Sequence, residues 1–456
     1  MEIEIRKNRV LKSIGICPHF QIICGALCTT PVRALRATPL RATPRKVFET
    51  QDQSRLILAP YFSEFQSPLL PAAFKLAGYN LEVLPEPDQE TIEMGLKVAH
   101  NEVCFPATIV VGDLLKALKS GKYDLNNTAV ALTQTGGQCR ATNYVAILKK
   151  ALIDSGFENI PVVAIAGGDS LFNEQPGFKV NWLRVMPVLF NALLFSDCLS
   201  QLYAASVVRE KQVGAANLLK EKYFKKADLL IRQNKSKKIL ELLKEAVHDF
   251  KEIITPNMKL PVVGIVGEIY LKFNSFSHKH IIKQLQKEGV EVLPPLIMPF
   301  FMQSFVNRKV NKNYGFSESS YPEFIFDGIY ALVKRNIAKA NKICAEFEYF
   351  KPIDEIFHEA EQTEELIDLG CQFGEGWLLP AEIAAYDRKG IYNVISLQPF
   401  GCIANHIISK GLEKKLKTKY PKLNLLSLDF DGGTSEVNVQ NRLELFKSVM
   451  DQRFTN

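Results

Sequence analysis

The sequence predicts an α/β protein of two lobes, each with a largely parallel sheet, joined by a helical region. Three observations carry that reading. From Ser54 onward short apolar runs alternate with helical patterns, the rhythm of βαβ units. The same rhythm reopens at Pro261–Ile269 (PVVGIVGEI). Between them lies a stretch that is helical throughout, first apolar and then rich in Lys and Glu, and free of motifs. A length of 456 residues suffices for about two to three domains.

Taken in order, residues 1–48 are a basic extension, expected to be disordered. They carry nine Lys and Arg against Glu2 and Glu4, a net charge equal to the +7 of the whole chain, so the remainder is neutral. A neutral body gives no footprint for nucleic acid. The run RATPLRATPRK (36–46) repeats Arg-Ala-Thr-Pro without a strand or helix period, and reads as a tail, a targeting segment or an early start.

The first lobe is expected over 54–175. Leu56–Phe62 is a strand-like run, Ser67–Ala77 a helix ended by Gly78, and Leu81–Leu84 a second strand. Ala107, Val110, Val111, Leu114, Leu115 and Leu118 recur at helical spacing, as do Tyr144, Ile147, Leu148, Ala151 and Leu152. Strands Ala129–Thr133 and Val162–Ala166 accompany them.

The helical region follows over 176–258. Its apolar part, Trp182–Val208, is broken by Arg184, Pro187, Asn191 and Asp197, so it reads as a buried helix rather than a membrane span. The second lobe covers 259–456 with a helical insertion at about 321–367, and its later strands are Tyr392–Leu397 and Leu425–Leu428. No internal repeat is visible in the sequence.

Three of the nine cysteines share a context. Cys104 opens CFP just before a helix, Cys139 ends TQTGGQC between a strand and a helix, and Cys402 ends QPFGC in the same setting. A helix N-terminus favours thiolate, the form that binds metal. Gly136, Gly137 and Gly401 allow close backbone approach. Loops after strand C-termini line the crevice of open α/β sheets, so two facing lobes could bring the three thiols onto one site. Three thiolates suit an iron–sulfur cluster with one iron left open, whereas structural zinc wants four ligands. The other reading is unrelated loop thiols. Cys198 and Cys344 fall in helical stretches and read as ordinary buried thiols, and Cys17, Cys24 and Cys28 form only a weak spacing.

Lesser candidates flank these positions. Gln134, Gln138 and Arg140 surround Cys139 and could bond a cluster or a ligand, or simply solvate the loop. Glu375 and Trp377 read as cleft residues, the aromatic alternatively as core. His406, one turn past Cys402, reads as a general acid or a satisfied surface histidine. Gly432, Gly433, Thr434 and Ser435 lie between a strand and a helix, where N–H groups hold an anion such as a CoA phosphate or Thr434 merely caps.

NEVCFPATIVVGDLLKALKSGKYD, TQTGGQCRATNY, GEGWLLPAEI, QPFGCIANHI and LDFDGGTSEVNVQNR, in order from about Leu56 to Val449, resemble the 2-hydroxyacyl-CoA dehydratase superfamily (2-hydroxyglutaryl-CoA dehydratase D-component-like), specifically its activase-related branch. The resemblance implies two Rossmann-like lobes and a [4Fe-4S] cluster held by Cys104, Cys139 and Cys402. It also implies single electrons from a separate ATP-hydrolysing activator protein, and action on an acyl-CoA or related substrate through a ketyl radical. A second dehydratase-like subunit or a homodimer is the implied assembly, in the cytoplasm, with no membrane and no nucleic acid. Related members hold a double cubane cluster and reduce other small molecules; Cys371, near GEGW, is the candidate extra ligand. A non-catalytic scaffold keeping the fold is the alternative from a different class. The chain departs from the pattern at Val207–Lys211, where many relatives carry an RPYE-like run, and it has neither an activator domain nor a G-x-x-x-x-G-K-[ST] loop.

Overall fold

The structure, a computed structural model, describes residues 46–455 apart from 101–102, 135–138, 167–172, 174 and 317–322. The chain is α/β, with two four-stranded sheets that are parallel throughout. The first is built from β1 (Leu56–Ala59), β2 (Asn80–Val83), β3 (Thr128–Gln134) and β4 (Val162–Ala166), in the order β2-β1-β3-β4. The second is built from β5 (Val262–Gly267), β6 (Glu291–Leu293), β7 (Asn393–Pro399) and β8 (Asn424–Phe430), in the order β6-β5-β7-β8. One topology therefore occurs twice, although the sequence shows no repeat. Each sheet changes winding direction between its first and third strands, which is where an open α/β sheet forms its crevice.

Helices α1 (Leu70–Leu76), α2 (Gln89–Leu96), α3 (Phe105–Lys119) and α4 (Tyr144–Asp154) serve the first sheet. The two counted apolar stripes lie on α3 and α4 and bury Val110, Val111, Leu114, Leu115, Leu148 and Leu152. The middle is α5 (Trp182–Val207), α6 (Ala215–Arg232) and α7 (Leu242–Ile253). Among the described residues α5 alone is long and apolar enough to cross a membrane, and 67% of its most apolar window is buried. It forms the centre of a helical core with Tyr223, Phe250 and Trp377.

In the second lobe α8 (Ile269–Phe273), α9 (Ile281–Lys287), α10 (Met298–Asn313), α11 (Glu323–Cys344), α12 (Ile356–Thr363), α13 (Leu378–Arg388), α14 (Glu413–Lys419) and α15 (Glu436–Thr455) surround the sheet. The run of helices between β6 and β7 thus begins at Met298, before the expected insertion. Residues from both sheets share a second core, in which Leu58, Val130 and Leu132 join Val263, Ile265 and Ile395.

The expected extension overlaps the folded body by three residues. Phe48 is fully buried, with its ring centroid 6.4 Å from that of Tyr79 and 6.2 Å from that of Phe178. The rest of that extension, with Cys17, Cys24 and Cys28, lies outside the described residues.

The Val207–Lys211 turn has a structural role. Arg209 is buried, its Nη2 is 2.6 Å from Glu291 Oε2 on β6, and its guanidinium stacks 3.8 Å from the Tyr349 ring centre. Its remaining donors reach the carbonyls of Met258 and Ala205. Glu210 caps α6 by accepting from the amides of Gly214 and Ala216. The turn therefore clamps the helical region to the second sheet.

Candidate functional site

Cys104 precedes α3, with Pro106 in that helix's first turn, where its missing N–H costs nothing. Cys139 follows β3 and begins a short 3₁₀ turn, its Sγ accepting from the Ala141 amide at 3.5 Å. Cys402 follows β7 and precedes a seven-residue π-helical turn, Ile403–Ser409, a form that recurs at functional sites. Asn405 Nδ2 donates to Cys402 Sγ at 3.3 Å. The Tyr144 hydroxyl hydrogen-bonds the Cys104 thiol.

These three loops come together. Arg140 Nη1 donates to the Val103 carbonyl at 2.9 Å, and a methyl group built on Gly401 would lie 3.7 Å from the same nitrogen. Arg140 thus spans the Cys104 loop, the Cys139 loop and the Cys402 loop. The three thiols are near enough for Cys139 and Cys402 each to raise the Cys104 pKa. Elsewhere the lobes meet through Tyr270 Oη and Asn274 Nδ2, which both donate to the Tyr61 carbonyl, at 3.2 and 3.3 Å.

The helix-terminus argument for thiolates is outweighed. Burial and then Glu268 push the Cys104 thiol well up, while burial, Glu375 and Glu268 push Cys402 up to about 12. A bound cation would offset this and favour the thiolate form. Among the described residues no three His, Cys, Asp or Glu side chains form a group that could hold a metal ion. Ligands of a multi-iron cluster bind different irons, so they need not converge on one point. The donor chemistry fits such a cluster: three thiols, with N–H donors aimed at two of the sulfurs. Orphaned oxygens flank the same strand ends, since Gln134 Oε1 and Asn405 Oδ1 are buried without a partner.

Glu268, Lys272 and Glu382 are the part that the residue pattern left out; Glu375, a cleft candidate in the sequence, joins them. Gly267 has φ +135°, and a Cβ there would fall 1.9 Å from the Leu397 oxygen, so only glycine lets β5 close on β7. That closure sets Glu268 at the sheet's crevice, where its amide donates to Leu397 O at 3.0 Å. Glu375, buried beside it, accepts from the Ile269 amide. Lys272, 1% exposed, pairs with Glu382 at 2.9 Å. The sequence offered no signal for Glu268 beyond glycine followed by glutamate at a strand end.

The remaining candidates divide. Gln134 is buried and donates to the Thr142 carbonyl at 2.8 Å. His406 stands beside the site with Nε2 2.6 Å from Asp429 Oδ1, and its amide donates to the Cys402 carbonyl. Trp377 is not a cleft residue: it is fully buried in the helical core, donating to Asn307 Oδ1 at 2.8 Å. Cys371 is half-buried beside Asp368, which together with burial raises its pKa. Gly136, Gly137 and Gln138 lie outside the described residues.

Gly432 packs toward Ile92 and Leu96, while Gly433, Thr434 and Ser435 line a pocket of about 250 Å³ together with Asp429, Asp431 and Arg442. Its loop turns two donors inward, because the Gly433 amide and the Thr434 hydroxyl both bond Asp431 Oδ1. A larger cleft of about 560 Å³ lies by Tyr61, Glu64 and Leu84, away from the cysteines. Comparison with models of known protein families and with curated proteins matches none of either.

Proposed function

We propose that this chain is an iron–sulfur redox protein of the kind its motifs resemble, a 2-hydroxyacyl-CoA dehydratase-like component acting on an acyl-CoA or related thioester. The observation that supports it is the meeting of Cys104, Cys139 and Cys402, drawn from both lobes, at the crevice ends of the two sheets. Cys104, Cys139 and Cys402 would hold a [4Fe-4S] cluster, which would supply single-electron chemistry at low potential. A separate ATP-hydrolysing activator provides the driving force, because the chain carries no phosphate loop of the P-loop type.

The chain's own residues do the rest. Ala141 N–H and Asn405 Nδ2 bond two of the sulfurs, which raises potential by spreading their charge. Arg140 ties the loops that carry the ligands, so their spacing is preset. Tyr144 and Phe105, both buried, keep water from the Cys104 side. The carboxyls of Glu268 and Glu375 border the thiols on the side of the second lobe.

The test is anaerobic purification with iron analysis. The expected result is about four irons per chain. Cys104→Ser, Cys139→Ser and Cys402→Ser each lose most of that iron, while Cys198→Ser and Cys344→Ser retain it. Full retention in the first three would sink the assignment.

A further inference from the structure

Helix α11 carries two apolar faces. One turns inward, where Tyr330, Val333 and Ile337 pack on the helical core. Its neighbours are fixed on two sides. It runs antiparallel to α10, with the Phe305 and Tyr330 ring centroids 5.2 Å apart, Arg308 stacked 3.3 Å from the Phe326 ring centre, and Lys312 2.6 Å from Glu323. It runs parallel to α5, because Asn336 Nδ2 donates to Asn191 Oδ1 at 3.2 Å and, two turns on, the Cys198 thiol bonds Cys344.

The other face stays open to solvent. Ile325, Gly328, Ile329 and Leu332 follow one another at i, i+3, i+4 and i+7, the spacing of a helix-packing seam. The α5 register puts Leu183 and Met186 level with this seam, and Phe324 borders it. The six large side chains are each 41–93% exposed. Their open surface comes to roughly 700 Å², taking about 200 Å² for a large side chain fully open. The largest apolar patch of a monomer is about 300–600 Å², and each partner in a standard interface buries about 800 Å². Gly328 sits at the middle of the seam, and its own chain gives no reason for it. Its φ is not positive and a Cβ there would meet nothing within 4 Å, so alanine would make the better helix. The glycine leaves a hollow that a side chain from outside can enter.

We propose that this face is the interface between two copies of the chain, related by a twofold axis, with the two α11 helices crossing antiparallel. In that crossing Ile325 meets the partner's Leu332, and the hollow at Gly328 receives the partner's Ile329. The seam is its own complement, so one patch serves both copies and the contact closes at two, as a twofold interface requires. The open area matches what one partner of a stable dimer covers. A lipid surface would take up the same apolar side chains but would have no use for the hollow. The interface depends on neither the cluster nor the thioester, and it gives the implied homodimer a specific face.

Sedimentation of the full chain at about 50 µM tests this, since an interface of standard size holds two copies together at that concentration. The expected species has twice the chain mass of 51.3 kDa. Ile329→Glu places a charge in the seam, and Gly328→Leu fills the hollow with nothing of its own chain within 4 Å of the new Cβ. Each should weaken association by at least about tenfold. Leu445→Glu, at an exposed position on α15, should leave it unchanged. Far-UV circular dichroism should be the same for all variants, which keeps loss of association apart from loss of fold. Iron is measured on the same samples, so a chain without iron sinks the cluster while the mass alone decides the dimer. A monomeric wild type overturns the interface, as does a dimer that survives both seam substitutions. A monomer that co-sediments with phosphatidylglycerol vesicles assigns the face to lipid and overturns it as well.

Discussion

Gly267→Ala is the perturbation that best separates the geometry of the crevice from ordinary glycine chemistry. The residue has φ +135°, and a methyl group there would sit 1.9 Å from the Leu397 oxygen and 2.7 Å from its carbonyl carbon, which is backbone and cannot swing aside. Strain from such a backbone conformation costs about 1–3 kcal/mol. Relieving the overlap by shifting β5 from β7 adds about 1–3 kcal/mol. The sum is roughly 2–6 kcal/mol, against a typical total stability of about 5–15 kcal/mol. Gly289→Ala is the control: φ is +80° but nothing lies within 4 Å, so only the backbone penalty of about 1–2 kcal/mol applies. Both variants are unfolded in urea beside the wild type, and iron content is measured on each. Gly267→Ala should lose more stability and also lose iron, because the Glu268 amide can no longer reach the Leu397 carbonyl. Equal losses in the two variants, with iron intact, would refute the close approach.

Arg209→Met should cost about 3–5 kcal/mol by leaving Glu291 buried and unpaired, and Arg209→Met with Glu291→Leu should recover most of it, as read by urea unfolding. Two titrations of opposite sign overlap in the stability-against-pH curve, so each is read as the difference between wild type and variant. Burial raises Asp197 to about 7 from 3.8, so its contribution is complete in acid and is lost as pH rises through 7; Asp197→Asn should flatten that limb, which spans a few kcal/mol. Burial lowers His278 to about 3 from 6.5, so its contribution is present above 6.5 and lost as pH falls toward 3; His278→Gln should remove that acid limb. The purified chain alone should show no ATP hydrolysis in a phosphate-release assay; robust turnover would overturn the division of labour with an activator.

The alternation of apolar runs and helical stripes was enough to read the α/β class and most strands, because burying one face of a helix or both faces of a parallel strand leaves a local period. Val110, Val111 and Leu114 announce their helix without any knowledge of what they pack against. The strand-to-helix settings of Cys139 and Cys402 are local too, and so was the helix start at Cys104. The duplicated strand order was not legible, since topology depends on which strands pair and not on what each contains. The meeting of Cys104 and Cys402, separated by most of the chain, was expected from the strand-end rule and the family resemblance, but no local pattern contains it. Trp377 shows the limit from the other side: its neighbours in sequence belong to the crevice, while its own ring belongs to the core. Glu268 and Glu375 become a pair only because Gly267 lets β5 close on β7 and the turn at Ile269–Leu271 offers amides to both. Sequence by itself determined the α/β class and most helix and strand segments, and singled out the strand-end cysteines as candidates. Tertiary structure alone decided which of them face one another, because proximity across a fold is set by packing geometry that no single segment contains.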